Sequence, residues 1–212
     1  EPTRLEPGYD LLGERLSRLG MRVSRGAGTL VATPSPVAAP WQMLVGHADT
    51  VWPVGTLATF PVERRDDRLR GPGVYDMKAG LVQLVFALEA LHSLRLTPPL
   101  PPVVVINGDE EIGSPRSARL LLKLARRAVR AFVLEPSLGS TGKLKTARKG
   151  GGRFRVRIQG IPAHAGLSPE QGASAILELS FVIQDLFQLN DSSRGVTVNV
   201  GVVDGGLRPN VV

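Results

Sequence analysis

The sequence contains no cysteine in 212 residues, which excludes disulfides and thiolate metal sites and leaves histidine, aspartate and glutamate as the strong metal ligands. Aromatic residues make up only 5% of the chain, too few for the base-stacking platforms of nucleic-acid-binding proteins. No apolar run approaches the roughly 18 residues of a membrane-spanning helix. The sequence therefore predicts a globular chain with neither a membrane nor a nucleic-acid partner.

The N-terminal residues, EPTRLEPGYD, lack the apolar segment of a secretory signal peptide. Together with the absence of cysteine, this predicts a cytoplasmic location. Because the sequence does not begin with methionine, a removed leader, and with it a secreted or periplasmic location, stays open.

The positive charge is concentrated in the first part of the chain. Residues 1–149 carry 21 basic and 14 acidic side chains and residues 150–212 carry five of each, so the first part holds the whole net charge of +7. Its arginines are scattered, which is typical of a solvated surface and not of a nucleic-acid-binding patch. After Lys149 the composition changes to GGGRFRVRIQG, which begins as a glycine-rich hinge. The sequence therefore predicts two domains, residues 1–149 and 150–212.

The first domain alternates helical and strand patterns, which is typical of an α/β fold. Apolar residues at helical spacing predict helices over 9–19 and 77–94 and an amphipathic helix with a basic, solvated face over 114–129. Short apolar runs predict two strands around the turn at 25–28 and single strands at 42–46, within 103–113 and at 131–134. A proline-rich linker is predicted over 33–40.

Three consecutive acidic residues, Asp109, Glu110 and Glu111, follow the buried-strand sequence VVVIN that begins at Val103. Ligands of α/β sheets gather beyond the carboxyl ends of the strands, so a cation site is expected there. Adjacent carboxylates also repel one another, and a solvated acidic turn explains this stretch equally well when it is considered alone.

Other potential metal ligands follow other apolar segments. His47 comes directly after the strand QMLVG, and Asp49, two residues on, points to the same side of an extended backbone and can orient the imidazole. Asp76 ends the glycine-rich turn GPGVYD, and Glu135 follows the strand AFVL. Each has an ordinary alternative: a loop histidine, an N-cap aspartate for the helix at 77–94, and an isolated surface glutamate. A parallel sheet would bring all of them to one edge, and an imidazole among carboxylates is typical of a zinc or manganese hydrolase.

Five motifs in this order resemble a known family. GHADT at 46–50, GPGVYDMKAG at 71–80, NGDEEIGS at 107–114, LEPS at 134–137 and PAHAG at 162–166 closely resemble the two-zinc exopeptidase and deacylase family. Its members include bacterial glutamate carboxypeptidase, acetylornithine deacetylase, succinyl-diaminopimelate desuccinylase and tripeptide aminopeptidase, and the motifs are most similar to the glutamate carboxypeptidase branch. The resemblance implies a mixed sheet flanked by helices, with a small α+β lid domain that makes homodimers, incomplete here at its C-terminus.

The resemblance also assigns metal ligands. His47 and Glu135 would bind one zinc, Asp76 would bridge both zincs, and Glu111 would bind the other. Cobalt or manganese would suit the same carboxylate-rich donors.

The catalytic roles follow from the same resemblance. Asp49 would orient His47, and Glu110 would be the general base, taking a proton from a water held between the metals as it attacks the scissile amide carbonyl. His164, in the lid, would polarise the substrate carbonyl or stabilise the oxyanion, in dimeric members in the partner's active site. Without the resemblance His164 is an ordinary loop histidine. Arg208 and Asn210 match a family signature and are interpreted as lid structure rather than substrate contacts.

The lid is predicted from residue patterns as well. Phe154, Val156 and Ile158 alternate as on one face of a strand, a helix is expected over 173–189, and a second strand over 196–203.

The chain also departs from the family. Family members are longer and carry a last zinc-binding histidine near their C-terminus, whereas this chain has three histidines. The third, His92, lies within the predicted helix at 77–94 and should face away from the site. We therefore expect a fragment of a larger enzyme that binds the first metal better than the second and is weakly active or inactive.

The predicted activity is hydrolysis of an amide bond, releasing a C-terminal amino acid such as glutamate from a small peptide or an N-acyl conjugate. Two alternatives stay open: an N-acyl amino acid deacylase, and a catalytically impaired binding or dimerisation module.

Overall fold

A computed structural model describes residues 4–36 and 39–212, so residues 37 and 38 of the predicted proline-rich linker lie outside the described residues. The chain divides into two compact units, Glu1–Leu144 and Lys145–Val212. That the first is catalytic and the second a lid stays a prediction.

The first unit is built on a five-stranded mixed sheet. Its strands are β1 (Arg22–Gly26), β2 (Thr29–Thr33), β3 (Trp41–His47), β6 (Pro102–Asn107) and β7 (Ala128–Val133), in the spatial order β1-β2-β6-β3-β7. β1, β2 and β6 pair antiparallel, whereas β6, β3 and β7 run parallel. A separate hairpin consists of β4 (Glu63–Arg65) and β5 (Arg68–Arg70). The predicted mixed sheet is therefore confirmed.

Helices cover both faces of this sheet. α1 (Glu6–Arg18) and α2 (Ala79–Ser93) enclose one apolar cluster with the sheet, and α3 (Ala118–Ala125) packs against a second cluster on the opposite face. β6 lies between them, with alternate valines in the two clusters, which explains why its sequence is continuously apolar. None of the helices in the described part of the chain is long and apolar enough to cross a bilayer.

The parallel strands place the site. Because β3, β6 and β7 run in the same direction, their carboxyl ends meet at one edge, with His47 opposite Asn107 in register. Glu110 and Glu111 follow β6 in a short turn over Glu110–Ile112, and Glu135 lies two residues beyond β7.

The helices α1, α2 and α3 differ from their predicted bounds, and α1 begins at Glu6, three residues earlier than predicted. α2 begins at Ala79, after a π-type turn over Val74–Lys78 in which Asp76 keeps an extended, non-helical backbone. Lys78 is the N-cap of α2, so the alternative of Asp76 as an N-cap is wrong. α3 covers Ala118–Ala125, shorter than predicted, because Ser114 has a positive φ of 57° and the chain turns at Arg126 and Arg127 before β7 begins at Ala128.

The second unit contains α4 (Ala175–Gln188), close to the predicted helix, whose N-cap Ser174 accepts a hydrogen bond from the Leu177 amide at 3.2 Å. The predicted strands at 154–158 and 196–203 are wrong: both segments lack a hydrogen-bonded ladder, apart from an isolated bridge between Asp191 and Val196. A strand requires a partner along its length, and alternation of apolar residues does not supply one.

Candidate metal centre

His47 is the most buried member of the site. Its side chain is only 2% exposed, and it ends β3, which lies between β6 and β7 in the sheet. Nδ1 lies 3.1 Å from the carbonyl oxygen of Asp49 and 3.3 Å from its Oδ1. Since both partners are acceptors, Nδ1 holds the proton and Nε2 presents its lone pair in the neutral imidazole.

Three carboxylates face His47 Nε2. The distances are 3.2 Å to Asp76 Oδ1, 3.5 Å to Glu135 Oε1 and 3.9 Å to Glu110 Oε2. They come from the turn before α2, the end of β7 and the turn after β6, so residues distant in sequence converge at one atom.

Two groups of donors could each hold a cation. One is His47, Glu110 and Glu135, the other His47, Asp76 and Glu111, and within each group the donor atoms lie within 4.8 Å of one another. Glu110, predicted as the general base and not as a ligand, belongs to the first group.

The charges of the site require compensation. Burial opposes protonation of His47, but the hydrogen bond with Asp49 and the charges of Asp49, Glu110 and Glu135 outweigh it and raise the pKa of His47 to about 9. Burial, with repulsion from Asp76 and Glu110, raises the pKa of both Glu111 and Glu135. A cation would relieve this repulsion. A bound cation would displace the proton on Nε2, and an imidazole nitrogen surrounded by carboxylates is a donor set that fits Zn²⁺, with Co²⁺ or Mn²⁺ acceptable.

Asp49 has a second role that the sequence did not indicate, in addition to orienting His47. Besides approaching His47, its Oδ2 accepts a hydrogen bond from the Glu111 amide at 3.0 Å. Burial would raise the pKa of Asp49, but the hydrogen bonds with His47 and with the Glu111 amide lower it. One carboxylate thus joins the loop after β3 to the acidic turn after β6, a role that only the loop geometry reveals.

Asp109 points away from the cluster formed by its two acidic neighbours. It is 2% exposed and accepts hydrogen bonds from Ser117 Oγ at 2.6 Å, from the amides of Arg116 and Ser117 at 2.7 and 3.1 Å, and from Asn107 Nδ2 at 3.3 Å. The carboxylate therefore closes the loop between β6 and α3, a function that sequence reasoning missed. The serines that follow Asp109 in the sequence, Ser114 and Ser117, were the signal that could have indicated this loop-closing role.

Lys78 supplies a cation near the acidic cluster. Its Nζ donates to the Ala48 carbonyl oxygen at 3.4 Å. Burial lowers the pKa of Lys78, and the charges of Asp49, Glu111 and Asp76 oppose that shift.

Not all predicted residues belong to these donor groups. His92 is exposed in the last turn of α2, as predicted, and His164 lies in the second unit. His164 Nδ1 accepts hydrogen bonds from the amides of Gly166 and Leu167 at 3.1 and 3.2 Å, so a neutral ring carries its proton on Nε2. The Asn210 carbonyl accepts from the Ala165 amide at 3.0 Å, and the Arg208 carbonyl accepts from the Val211 amide at 3.1 Å, which ties the Asn210 segment to the His164 loop.

The fold and donor set define the class: an α/β protein with a candidate histidine–carboxylate metal centre at the carboxyl edge of its sheet. Residues 43–203 match the family described as Peptidase family M20/M25/M40, and the chain belongs to that family. The resemblance inferred from the five sequence motifs is therefore confirmed.

Curated relatives include peptidases and deacylases. The chain is 29% identical over 170 residues to carboxypeptidase G2 of Pseudomonas sp. (strain RS-16), covering 80% of this chain and 41% of the relative. It is 32% identical over 181 residues to acetylornithine deacetylase of Myxococcus xanthus, covering 80% of this chain and 46% of the relative. The chain thus spans less than half the length of these two relatives.

Solved structures share the fold. A tripeptidase from Staphylococcus aureus subsp. aureus Mu50 superposes with a TM-score of 0.67 at 22% identity, covering 96% of this chain and 56% of that one. The aminopeptidase PepT from Bacillus cereus ATCC 10987 gives a TM-score of 0.62 at 21% identity, covering 96% and 57%.

Proposed function

We propose that this chain provides the metal centre of a hydrolase that cleaves amide bonds, releasing a C-terminal amino acid such as glutamate from a small peptide or an N-acyl conjugate. The observation that carries the proposal is the buried His47, whose Nε2 faces carboxylates from three separate segments. Several carboxylates gathered around one buried histidine are typical of a functional site.

The described residues divide into metal ligands and catalytic groups. His47 and Glu135 would hold one zinc, Glu111 the other, and Asp76 both; Asp49 orients His47 through Nδ1. When bound, zinc would lower the pKa of a water and polarise the substrate carbonyl.

Glu110 is assigned the proton transfer. Its side chain is 45% exposed, more accessible than Glu135 at 17%, and it borders the same histidine. It would take a proton from the water that adds to the carbonyl carbon and give it to the leaving nitrogen as the C–N bond breaks. In the second unit, His164 presents Nε2–H as a hydrogen-bond donor, the form needed to stabilise an oxyanion.

The Glu110→Gln substitution tests this assignment. Because glutamine cannot accept the proton, we expect hydrolysis of a glutamyl dipeptide or N-acyl glutamate to fall by about 10²- to 10⁴-fold, with unchanged zinc content by elemental analysis. The Glu14→Gln substitution, on the exposed face of α1, is the matched control and should change neither quantity. The His47→Ala substitution should lose the metal.

Three results would refute parts of the proposal. Zinc bound by the wild-type chain without any hydrolysis would favour the non-catalytic binding or dimerisation module, and retention of activity by Glu110→Gln would exclude Glu110 as the base. A wild-type chain that binds no zinc would exclude the metal centre itself.

A deacylase activity is the second candidate, favoured by the 32% identity with acetylornithine deacetylase of Myxococcus xanthus. N-acetyl amino acids and dipeptides with the same C-terminal residue separate the two reactions. Preferential cleavage of the acetyl substrates would identify a deacylase.

We also propose that the second unit associates with a second copy of this chain. α4 exposes large apolar side chains, including Leu177 and Phe181, one turn apart on one face. Exposed apolar patches of this kind mark association surfaces. Sedimentation velocity measures the association directly.

A further inference from the structure

A second feature adjoins the proposed metal centre. Directly after the loop that follows His47, large apolar side chains are exposed at Val51, Trp52, Val54 and Leu57. Since this unit buries an extensive core elsewhere, such a concentration at the edge of a site indicates a ligand-binding surface and not a packing defect.

Val51 and Trp52 border a cavity of about 310 Å³. Its aromatic wall consists of Trp52, Phe60 and Tyr75 together with Leu69, and its lining also includes the proposed ligands Asp76 and Glu111. A substrate whose amide lies at the metal centre therefore has a substituent within reach of the aromatic wall. We call the cavity the aromatic pocket.

The aromatic wall is held in a defined geometry. The rings of Trp52 and Phe60 meet edge to face, with centroids 5.4 Å apart and planes at 62°. The Phe60 amide donates to the Thr56 carbonyl at 2.7 Å, which closes the loop that carries the ring. Rigid, accessible aromatic faces bind a flat ring with little loss of conformational entropy.

The positive charge in the pocket also favours one kind of substituent over another. Arg70 is the basic residue among the described lining residues, and its guanidinium lies 5.1 Å from the centre of the Phe60 ring. A guanidinium stacked over a ring accepts a second π surface readily but has little affinity for a plain alkyl group. The lining thus favours an aromatic substituent over an aliphatic one of similar size.

We propose that Trp52, Phe60 and Arg70 form a specificity subsite for a flat aromatic group attached to the scissile amide, on either its acyl or its amino-acid side. The inference rests on the proposed function, since that function places the amide at Asp76 and Glu111. It adds that the aromatic pocket, and not the metal centre, distinguishes among substrates.

Binding of paired probes tests the subsite without requiring turnover. N-Benzoylglycine carries the ring on the acyl side, N-acetylphenylalanine carries it on the amino-acid side, and N-acetylglycine has neither. Affinities are measured by calorimetry in zinc-containing buffer, for the wild-type chain and for the Glu110→Gln variant, in which turnover is suppressed. We expect one of the aromatic probes to bind roughly five- to tenfold more tightly than N-acetylglycine, which is the effect of one aromatic contact.

Substitutions test whether the preference for an aromatic probe arises in the aromatic pocket. Trp52→Leu and Arg70→Gln should reduce the affinity ratio of aromatic to acetyl probe to near one. Phe86→Leu is the matched control and should leave the ratio unchanged. Phe86 is exposed, and its ring centre lies 5.1 Å from the Arg15 guanidinium, the same distance as between Phe60 and Arg70. It lies on α2 and does not line the pocket. Thermal unfolding verifies that both pocket variants, which alter exposed side chains, remain folded.

The outcomes separate the two proposals. Equal affinities for all three probes, no binding of any probe, or an unchanged ratio in both pocket variants would each overturn the subsite. An aromatic preference in a chain that hydrolyses nothing would retain the subsite and reject the proposed activity, whereas hydrolysis without any preference would do the reverse.

Discussion

Asp109, Glu110 and Glu111 are chemically similar neighbours in different surroundings. Asp109 is enclosed by four donors, Glu110 is accessible beside His47, and Glu111 donates a hydrogen bond from its amide to the Asp49 carboxylate. Burial would raise the pKa of Asp109, but the hydrogen bonds from Ser117, the Arg116 and Ser117 amides and Asn107 outweigh it and lower the pKa. Because its pKa lies below that of an unfolded aspartate, its ionised form stabilises the fold at neutral pH, and this contribution is lost as the pH falls below about 4.

We expect the Asp109→Asn substitution to destabilise the first unit by about 2–3 kcal/mol at neutral pH, because an amide group would face several buried donors. Urea denaturation measures the loss. Asp191→Asn is the control: Asp191 also accepts from a serine hydroxyl and two backbone amides, but in a solvated turn where water replaces lost partners. Equal losses for the two variants would show that burial of the Asp109 carboxylate is unimportant.

At the scale of elements, the contact between α2 and the end of β7 sets the separation of two proposed ligands. Asp76 precedes Gly80 by four residues, and Glu135 directly follows Leu134, whose amide donates to the Val45 carbonyl at 2.9 Å. A Cβ atom on Gly80 would overlap the carbonyl oxygen of Leu134. The helix can approach the strand this closely only because residue 80 has no side chain.

Gly80→Ala should therefore destabilise the first unit by about 1–3 kcal/mol, although alanine is the better helix former, because overlap with backbone cannot be relieved by a rotamer change. Zinc affinity should fall as well, since Asp76 and Glu135 are pushed apart. Gly8→Ala, in α1 with no atom within 4 Å of the added Cβ, should instead be neutral or stabilising by up to about 1 kcal/mol. Chemical denaturation and zinc titration of both variants measure the contrast; a stabilised Gly80→Ala variant with intact zinc affinity would contradict it.

At the scale of the whole molecule, the two units differ in how they bury apolar surface. The first unit has apolar clusters on both faces of its sheet, whereas the described residues of the second unit include no fully buried side chain. Phe154 in the second unit is 91% exposed. The second unit therefore has apolar surface available for association.

We expect the chain to sediment as a dimer that dissociates on dilution, and the double substitution Leu177→Ser and Phe181→Ser to shift it to monomer because it removes apolar surface of α4. Phe86→Ser, which removes an exposed ring from α2 in the first unit, should leave the dimer intact. A monomer at every concentration would reject the second-copy proposal.

Much of the first unit could be predicted from local pattern. The continuous valines of β6 require burial on two faces, and the helical spacing before and after them predicts helices that provide it, so an α/β sheet flanked by helices followed from the residues. That the sheet is mixed followed from the family resemblance. The prediction failed at 154–158 and 196–203, because alternation describes which face of a strand is apolar but not whether a partner strand exists.

The sequence by itself determined the family, through five ordered motifs, and the types of donor, because a chain without cysteine has only histidine and carboxylate side chains as strong metal ligands. Only the tertiary structure decided which carboxylates face His47 Nε2, that Asp109 points inward while Asp49 supports Glu111, and that Trp52, Phe60 and Arg70 meet beside the site. The reason is physical: a side chain's identity fixes its chemistry, but its direction depends on strand register, helix approach and loop closure, and these are set by contacts between residues far apart in the chain.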